Sequence, residues 1–133
     1  MRVLGLALVW VCNSAGAQSA LPAIAPASAT PSALVAAGFR VMNAQSQGNC
    51  VSCHALPGQT GLQSSFGPTL VGVGARYSTE LLRQWVTDAR TLKPNTLMPP
   101  FGTTQGSVQA VRAAPILNAE EIEQVVAALQ TLR

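Results

Sequence analysis

The chain has 133 residues, of which 48% are hydrophobic, 10% are charged and 5% are aromatic, and its formal net charge is +3. This length predicts one domain with a buried core, and the low charge excludes an intrinsically disordered chain. Lys93 is the single lysine and the arginines are scattered, so no basic stripe for nucleic acid is present. Because aromatic side chains usually dominate core burial, their scarcity indicates that something else fills the middle of the domain.

Residues 1–17 have the pattern of a secretory signal peptide. A short charged start precedes an apolar run over residues 3–11, and Ala15-Gly16-Ala17 is a small-x-small cleavage signal. That run is too short to cross a bilayer, and no other apolar run is long enough for a transmembrane anchor. A buried N-terminal helix is the alternative interpretation. We expect cleavage near Ala17 and export of the mature chain to a bacterial periplasm.

Residues 18–31 are rich in Ala, Pro and Ser, and their three prolines rule out a continuous helix. We expect a flexible tail here, with a trimmed propeptide as the alternative. The folded domain is then predicted over residues 32–133.

A first helix is predicted from Ser32 to about Ser46. Pro31 is a favourable start signal, and Gly48 is predicted to stop the helix. One face of this helix carries the apolar or small residues Leu34, Val35, Gly38, Phe39 and Met42.

The sequence Cys50-Val51-Ser52-Cys53-His54 has the C-x-x-C-H spacing of covalent haem attachment. The two thiols form thioethers with the haem vinyl groups, and the adjacent histidine then donates a ring nitrogen to the iron. A thioredoxin-like pair lacks its βαβ setting, and a zinc site lacks a fourth ligand. A plain disulfide leaves His54 without a role. We therefore predict one covalently bound haem c.

Glycine- and proline-rich stretches cover residues 55–77 and 91–117, with no alternating pattern long enough for a sheet. Loops of this length are usually functional in a compact domain, and we expect them to wrap the cofactor. Pro68 has a carbonyl but no N–H, which makes it a candidate acceptor for the second ring nitrogen of His54. A simple turn is the alternative.

Two further helices complete the predicted all-α domain. The second runs from about Ser78, a suitable cap, to Arg90, where Pro94 prevents continuation. Its apolar repeat is Leu81, Leu82, Trp85 and Val86. The third begins after Asn118, which forms a predicted capping box with Glu121. Its apolar stripe is Ile122, Val125, Val126, Leu129 and Leu132.

The iron needs a sixth ligand or an open site, and the absence of a second histidine excludes bis-histidine ligation within the chain. Met98 lies between Thr96 and Phe101 in a stretch stiffened by prolines, and we predict that its thioether is the ligand. Met42 is predicted to fill the core instead. Lys93 and an open position are the alternatives. Ligation by His54 and Met98 suits electron transfer, because a filled coordination sphere binds no substrate.

These features together resemble the class I cytochromes c, and more closely the SoxX family, the monohaem subunits of the SoxAX cytochromes of thiosulfate oxidation. The resemblance is carried by residues 48–58, 67–77, 88–90, 94–102 and 115–126. It implies an all-α fold in which three main helices and long loops wrap one haem. It also implies that His54 and Met98 are the axial ligands and that Pro68 orients His54.

The same resemblance implies a heterodimer with a haem-bearing SoxA-like subunit. Catalysis then belongs to the partner, and this subunit passes electrons to an acceptor cytochrome. A free-standing electron carrier is the alternative, although a chain with one lysine lacks the lysine ring with which mitochondrion-type carriers dock. An enzyme with an open haem is a third hypothesis, and Met98 argues against it. Arg76 and Tyr77 either support the haem edge or form a helix-entry turn.

Overall fold

The computed structural model describes residues 30–105 and 114–133, and those residues form helices and loops without any strand. The helices are α1 (Pro31–Asn43), α2 (Val73–Arg76), α3 (Thr79–Asp88) and α4 (Ala119–Thr131). Two 3₁₀ turns, Cys50–Ser52 and Ala89–Thr91, lie between them. The all-α class predicted from the sequence is confirmed. The predicted signal peptide and residues 18–29 of the predicted tail lie outside the described residues.

Helix α1 begins where its capping chemistry places it. The Thr30 hydroxyl accepts a hydrogen bond from the Ala33 amide, and Pro31 occupies the first turn, where its missing N–H costs nothing. Thr30 and Pro31 therefore belong to the helix start rather than to the end of the predicted tail.

The prediction that Gly48 stops α1 is wrong. The helix ends at Asn43, because Ala44 turns into extended backbone and the Asn43 amide side chain takes the Phe39 carbonyl. Gly48 serves a different purpose, since its amide donates to the Val41 carbonyl at 3.1 Å. A Cβ there would lie 3.0 Å from that oxygen, so a glycine favours the close return of the chain to α1 at this position.

The two later helices begin as predicted. Ser78 caps α3 by accepting a hydrogen bond from Leu81, and Asn118 and Glu121 form both bonds of the capping box of α4. Arg90 lies in the turn after α3, where it pairs with Asp88 and also donates to the Gln105 carbonyl. Four-residue α2 lies in a stretch predicted to be loop, because one turn is too short to show apolar periodicity.

Helix α4 is the centre of the core, and α1, α2 and α3 all contact it. Two glycines make this packing close: a Cβ at Gly38 of α1 would overlap the Gln124 carbonyl oxygen, and one at Gly74 of α2 would lie 2.5 Å from the Gln130 oxygen. The buried apolar cluster consists of Val41, Met42, Leu56, Val73, Leu82, Val86, Phe101, Leu117, Ile122, Val125, Val126, Ala128, Leu129 and Leu132.

The close contact of α1 with α4 predicts the sign of the change in the free energy of unfolding when Gly38 is replaced by alanine. Gly38→Ala would stabilise an isolated helix by about 1 kcal/mol through helix propensity. Here the added methyl group overlaps the α4 backbone, so we expect a net loss of about 1–3 kcal/mol in the free energy of unfolding. Urea unfolding followed by circular dichroism measures the change.

Ala36→Gly, on the exposed side of the same helix, is the control and should cost about 1 kcal/mol through propensity alone. A higher unfolding midpoint for Gly38→Ala would show that the helices are not in this contact.

Candidate functional site

The 3₁₀ turn Cys50–Ser52 places both cysteines and His54 on one short loop. Asn49 starts it in the left-handed region, with φ of 44°, and the Cys53 and His54 amides both donate to the Cys50 carbonyl. The two thiols are half-buried and not joined to each other. The backbone therefore presents two separate thiols and one imidazole from five consecutive residues.

Burial raises the pKa of the Cys50 thiol to about 11, a rise that a backbone hydrogen bond opposes and the neighbouring Cys53 reinforces. A redox-active dithiol works through a thiol of lowered pKa, because the thiolate is the nucleophile. A raised pKa thus argues against a thioredoxin-like role. Cys50 also packs against the apolar core, which suits a fixed attachment point.

The loop in front of the cysteines is tied to α4. The Gln47 side-chain amide donates to Glu121 Oε1 at 2.5 Å, while Glu121 Oε2 accepts the Asn118 amide in the capping box. One carboxylate thus closes the start of α4 and holds the chain that leads into Cys50. This contact joins the site to the helix on which the core is built.

The His54 imidazole is held by a backbone carbonyl. Its Nδ1 lies 2.6 Å from the Pro68 oxygen, and because a carbonyl only accepts, Nδ1 carries the hydrogen and donates it. In the neutral ring this leaves Nε2 with a lone pair, the form in which histidine binds metals. The structure brings His54 and Pro68 together, as their proposed relation requires.

Gly67 lets the loop approach the ring. A Cβ at this position would lie 2.6 Å from His54 Cε1 and 2.8 Å from Nδ1, so any side chain would displace the imidazole. The Gly67 amide also donates to the Cys53 carbonyl at 2.6 Å. The residue pattern alone does not predict this role, although the Gly-Pro pair is a visible signal of a tight turn.

Met98 lies in the loop between the second 3₁₀ turn and Phe101. It is partly buried and packs against the apolar core, whereas its neighbour Leu97 is 78% exposed and Lys93 is also exposed. The Met98 amide donates to Thr96 Oγ1 at 3.2 Å. The loop therefore turns the thioether inward and the lysine outward.

Arg76 and Tyr77 end α2. The Arg76 guanidinium donates to the Val71 carbonyl at 2.7 Å and reaches the Thr69 carbonyl at 3.4 Å. Tyr77 caps the helix through its amide, and its carbonyl accepts from Gln130 of α4. The Arg76 guanidinium therefore binds the loop that follows Pro68, whereas the contacts of Tyr77 are made by its backbone.

Apolar side chains face outward in the loops beside the site. The large exposed ones among the described residues all belong to the two predicted wrapping stretches: Leu62, Phe66, Val71, Tyr77 and Leu97. The helices, by contrast, turn their large apolar residues inward. Two thiols, an imidazole with a free nitrogen and exposed apolar loops fit a large, flat, covalently held group such as haem.

Two further features are not found in residues 30–105 and 114–133. No three side chains of His, Cys, Asp or Glu gather there in a cluster that holds a bare metal ion. Nor does any helix in those ranges have the length and apolar character to cross a membrane.

Comparison with known proteins supports a haem site. The cytochrome c family profile matches residues 35–133. A chain in the crystal structure of SoxXA from P. pantotrophus is 35% identical in sequence and superposes with a TM-score of 0.68. That alignment covers 73% of this chain and 80% of the other. No curated protein sequence is a significant match.

The crowded approach at Gly67 gives a test of the His54 geometry. Gly67→Ala should displace the ring from the Pro68 carbonyl, because the added Cβ occupies its place. We expect the His54 Nδ1 hydrogen, followed by NMR, to exchange with solvent about tenfold faster, as for the loss of one hydrogen bond.

Gly61→Ala is the matched control. Gly61 lies in the same stretch with φ of 99°, so alanine strains the backbone there, but no atom of another part of the chain lies within 4 Å. Equal exchange rates in the wild type and Gly67→Ala would contradict the geometry.

Proposed function

The chain belongs to the cytochrome c family as a SoxX-type member, and on that premise we propose that it is the periplasmic electron-transfer subunit of a SoxAX-type complex in thiosulfate oxidation. The family match and the likeness to the SoxXA chain confirm the class I cytochrome c fold and the SoxX resemblance predicted from the sequence. Membership also implies covalently bound haem. The finer assignments that follow are part of the proposal.

The observation that carries the proposal is the contact between His54 and Pro68. Directly after two cysteines with haem-attachment spacing, the imidazole donates through Nδ1 to a carbonyl at 2.6 Å. A metal-bound histidine usually makes such a bond, which fixes the ring and raises its basicity. We propose that Nε2 of His54 is the axial ligand that this arrangement prepares.

Cys50 and Cys53 hold the cofactor in this proposal, each through one thioether. The sequence contains a single C-x-x-C-H segment, which supports one haem. When bound, the haem supplies a one-electron Fe(III)/Fe(II) couple. In this proposal Cys50 and Cys53 bind the group, and Pro68 orients the His54 ligand.

We propose Met98 as the second axial ligand. Its partial burial against the core, beside the outward Leu97, supports this choice. Lys93, the alternative donor, is exposed. Pro99 and Pro100 restrict the backbone that follows, which lowers the entropy lost in holding a weak thioether ligand. Ligation by histidine and methionine raises the reduction potential and suits electron transfer.

The relative's crystal structure is of SoxXA, and we propose by analogy that a SoxA-like haem subunit is the partner of this chain. In this proposal the thiosulfate chemistry belongs to the partner and the present subunit is not catalytic. It passes electrons to a downstream acceptor cytochrome. A free-standing electron carrier remains the alternative.

The location in the periplasm rests on residues 1–17, whose pattern is that of a cleaved signal. Covalent haem attachment to C-x-x-C-H fits an exported chain. We propose that cleavage near Ala17 leaves a mature chain with a tail over residues 18–29 before the Thr30 cap.

The proposed iron ligand can be tested by Met98→Ala. Loss of the thioether should lower the midpoint potential by part of the roughly 0.8 V range that axial ligands span. It should also allow carbon monoxide to bind the reduced protein rapidly. Potentiometry and absorption spectra measure both effects.

Met42→Leu is the matched control, since Met42 is fully buried in the core and its replacement should change neither the potential nor the spectrum. An unchanged potential in Met98→Ala would remove Met98 as the ligand, and Lys93→Ala would then test the alternative.

The proposed complex can be tested by purification from the native host. We expect a 1:1 heterodimer with a second haem subunit. Charged residues make up only 10% of the sequence, so we expect apolar contacts rather than ion pairs to hold the dimer. The dimer should therefore persist in about 1 M salt, where the Debye length is about 3 Å. A chain that is purified as a monomer from the native host, without added salt as well as in high salt, would favour the free carrier.

A further inference from the structure

After the second 3₁₀ turn the chain makes a loop over residues 92–105, and Met98 lies in the middle of it. The loop leaves from the end of α3, and its far part returns to the same helix, where the Gly102 amide donates to the Thr87 carbonyl at 2.9 Å. A Cβ at Gly102 would lie 2.7 Å from Ile122 Cδ1, so the return is close. Both ends of the loop therefore lie beside the last turn of α3.

The hydrogen bonds around Met98 are local. The Thr96 amide donates to the Lys93 carbonyl, and the Met98 amide donates to Thr96 Oγ1. Such bonds fix the shape of a turn but not its place against the rest of the domain. The place is set further along the chain, where Phe101 is buried and its carbonyl accepts from the Leu117 amide. The position of the thioether thus depends on how the far end of the loop is held.

The side chain of Arg90 reaches that far end. Its Nη2 donates to the Gln105 carbonyl at 2.5 Å. Within residues 30–105 and 114–133, this is the one hydrogen bond that a side chain from outside the loop makes to it. Because Arg90 belongs to the 3₁₀ turn from which the loop starts, its backbone lies at one end of the loop and its guanidinium binds the other.

Asp88 fixes the guanidinium in this place. Its carboxylate accepts from Nε of Arg90 at 2.8 Å and from Nη2 at 2.7 Å, and its Oδ1 also accepts the Arg90 amide at 3.1 Å. The side chains of Arg90 and Asp88 are only 25% and 18% exposed, so salt screens this pair less than a fully exposed one. Bidentate bonds between charged groups are also stronger and more directional than neutral ones.

We propose that Arg90, oriented by Asp88, is a positioning residue for Met98: by joining the start of the loop to the Gln105 carbonyl, it slows the motion in which the thioether leaves the iron. This inference rests on the proposed function, because it requires Met98 to ligate the haem iron. It means that the pair controls the access of external ligands on the methionine side and leaves the His54 side unchanged.

The bonds of Arg90 require the shape of a guanidinium. Two nitrogens donate side by side to Asp88, and one of them also donates to Gln105, which a rigid planar fork with several donors allows. Lysine offers a point charge on a flexible stem. Arg90→Lys therefore keeps the charge and loses the geometry, and it separates positioning from charge.

The test uses the full chain with its haem attached, and imidazole as the external ligand of the oxidised iron. At saturating imidazole the binding rate reports how often the loop opens, because Met98 has to leave first. We expect Arg90→Lys to raise this limiting rate, and the hydrogen exchange rate of the Gly102 amide, by about threefold to tenfold, as for one weakened hydrogen bond. Exchange of the His54 Nδ1 hydrogen should not change.

Two further variants separate this contact from a general loss of stability. Asp88→Asn still caps the 3₁₀ turn but releases the guanidinium, so it should give a similar increase. Combined with Arg90→Lys, it should add less than the sum of the two effects, since both act through one contact. Arg83→Lys is the matched control, because Arg83 forms a bidentate ion pair with Glu123 between α3 and α4, and its limiting rate should stay that of the wild type.

An unchanged limiting rate in Arg90→Lys, in a variant with native helicity, would overturn the inference. An equal increase in Arg83→Lys would also overturn it, because the loss of any ion pair on α3 would then suffice, and so would faster exchange at His54 Nδ1. If Arg90→Lys does not fold, an unchanged rate in Asp88→Asn would decide against it. A wild-type protein that binds imidazole as fast as Met98→Ala would instead refute Met98 as the ligand, and that comparison is made first.

Discussion

The hydrogen bond from His54 to the Pro68 carbonyl is the contact on which the site depends. It requires a carbonyl that is close, correctly aimed and not engaged elsewhere, and a proline at position 68 supplies the oxygen without an N–H that seeks another acceptor. The approach itself requires Gly67, because any Cβ would overlap the ring. Further hydrogen bonds then fix the loop. The Gly67 amide donates to the Cys53 carbonyl, and the Arg76 guanidinium donates to the Val71 carbonyl. The orientation of the His54 imidazole therefore depends on several contacts along the loop that contains Gly67 and Pro68.

Helix α4 is the rigid element to which that loop is connected. Gly38 and Gly74 let two other helices touch its backbone, so α1, α2 and α4 form one tightly packed unit. The same helix reaches the haem-attachment segment through Glu121, which caps its start and accepts from Gln47. The loop after Pro68 is tied to it as well, since Gln130 donates to the carbonyl of Tyr77. Residues of the helical core thus also contact both the segment that carries the cysteines and the chain that follows Pro68.

Local chemistry explains which features the sequence predicts. The capping box of Asn118 and Glu121 involves residues three apart, and the haem-attachment spacing involves five consecutive residues, so both are readable without a fold. Features that depend on chain reversal are not. The sequence predicts that Gly48 stops α1, but this glycine instead lies where the chain folds back and its amide donates to the Val41 carbonyl. The contact of Arg76 with the Val71 carbonyl likewise depends on the turn that brings the guanidinium back over the preceding loop, which no pattern in the sequence displays.

The two sides of the proposed haem site are held by different means. On the histidine side, hydrogen bonds fix the ring and the loop behind it. On the methionine side, the loop hydrogen bonds near Met98 are local, from its amide to Thr96 and from Thr96 to Lys93, and the chain is anchored again at Gly102, whose amide donates to Thr87. The prolines after Met98 supply the remaining stiffness by restricting the backbone. If Met98 ligates the iron as proposed, its weak thioether would be the more easily lost ligand, because the second nitrogen of the His54 imidazole is engaged by the Pro68 carbonyl. The scarcity of aromatic residues fits this proposal, because a flat cofactor would provide the apolar surface that aromatic side chains provide in other cores.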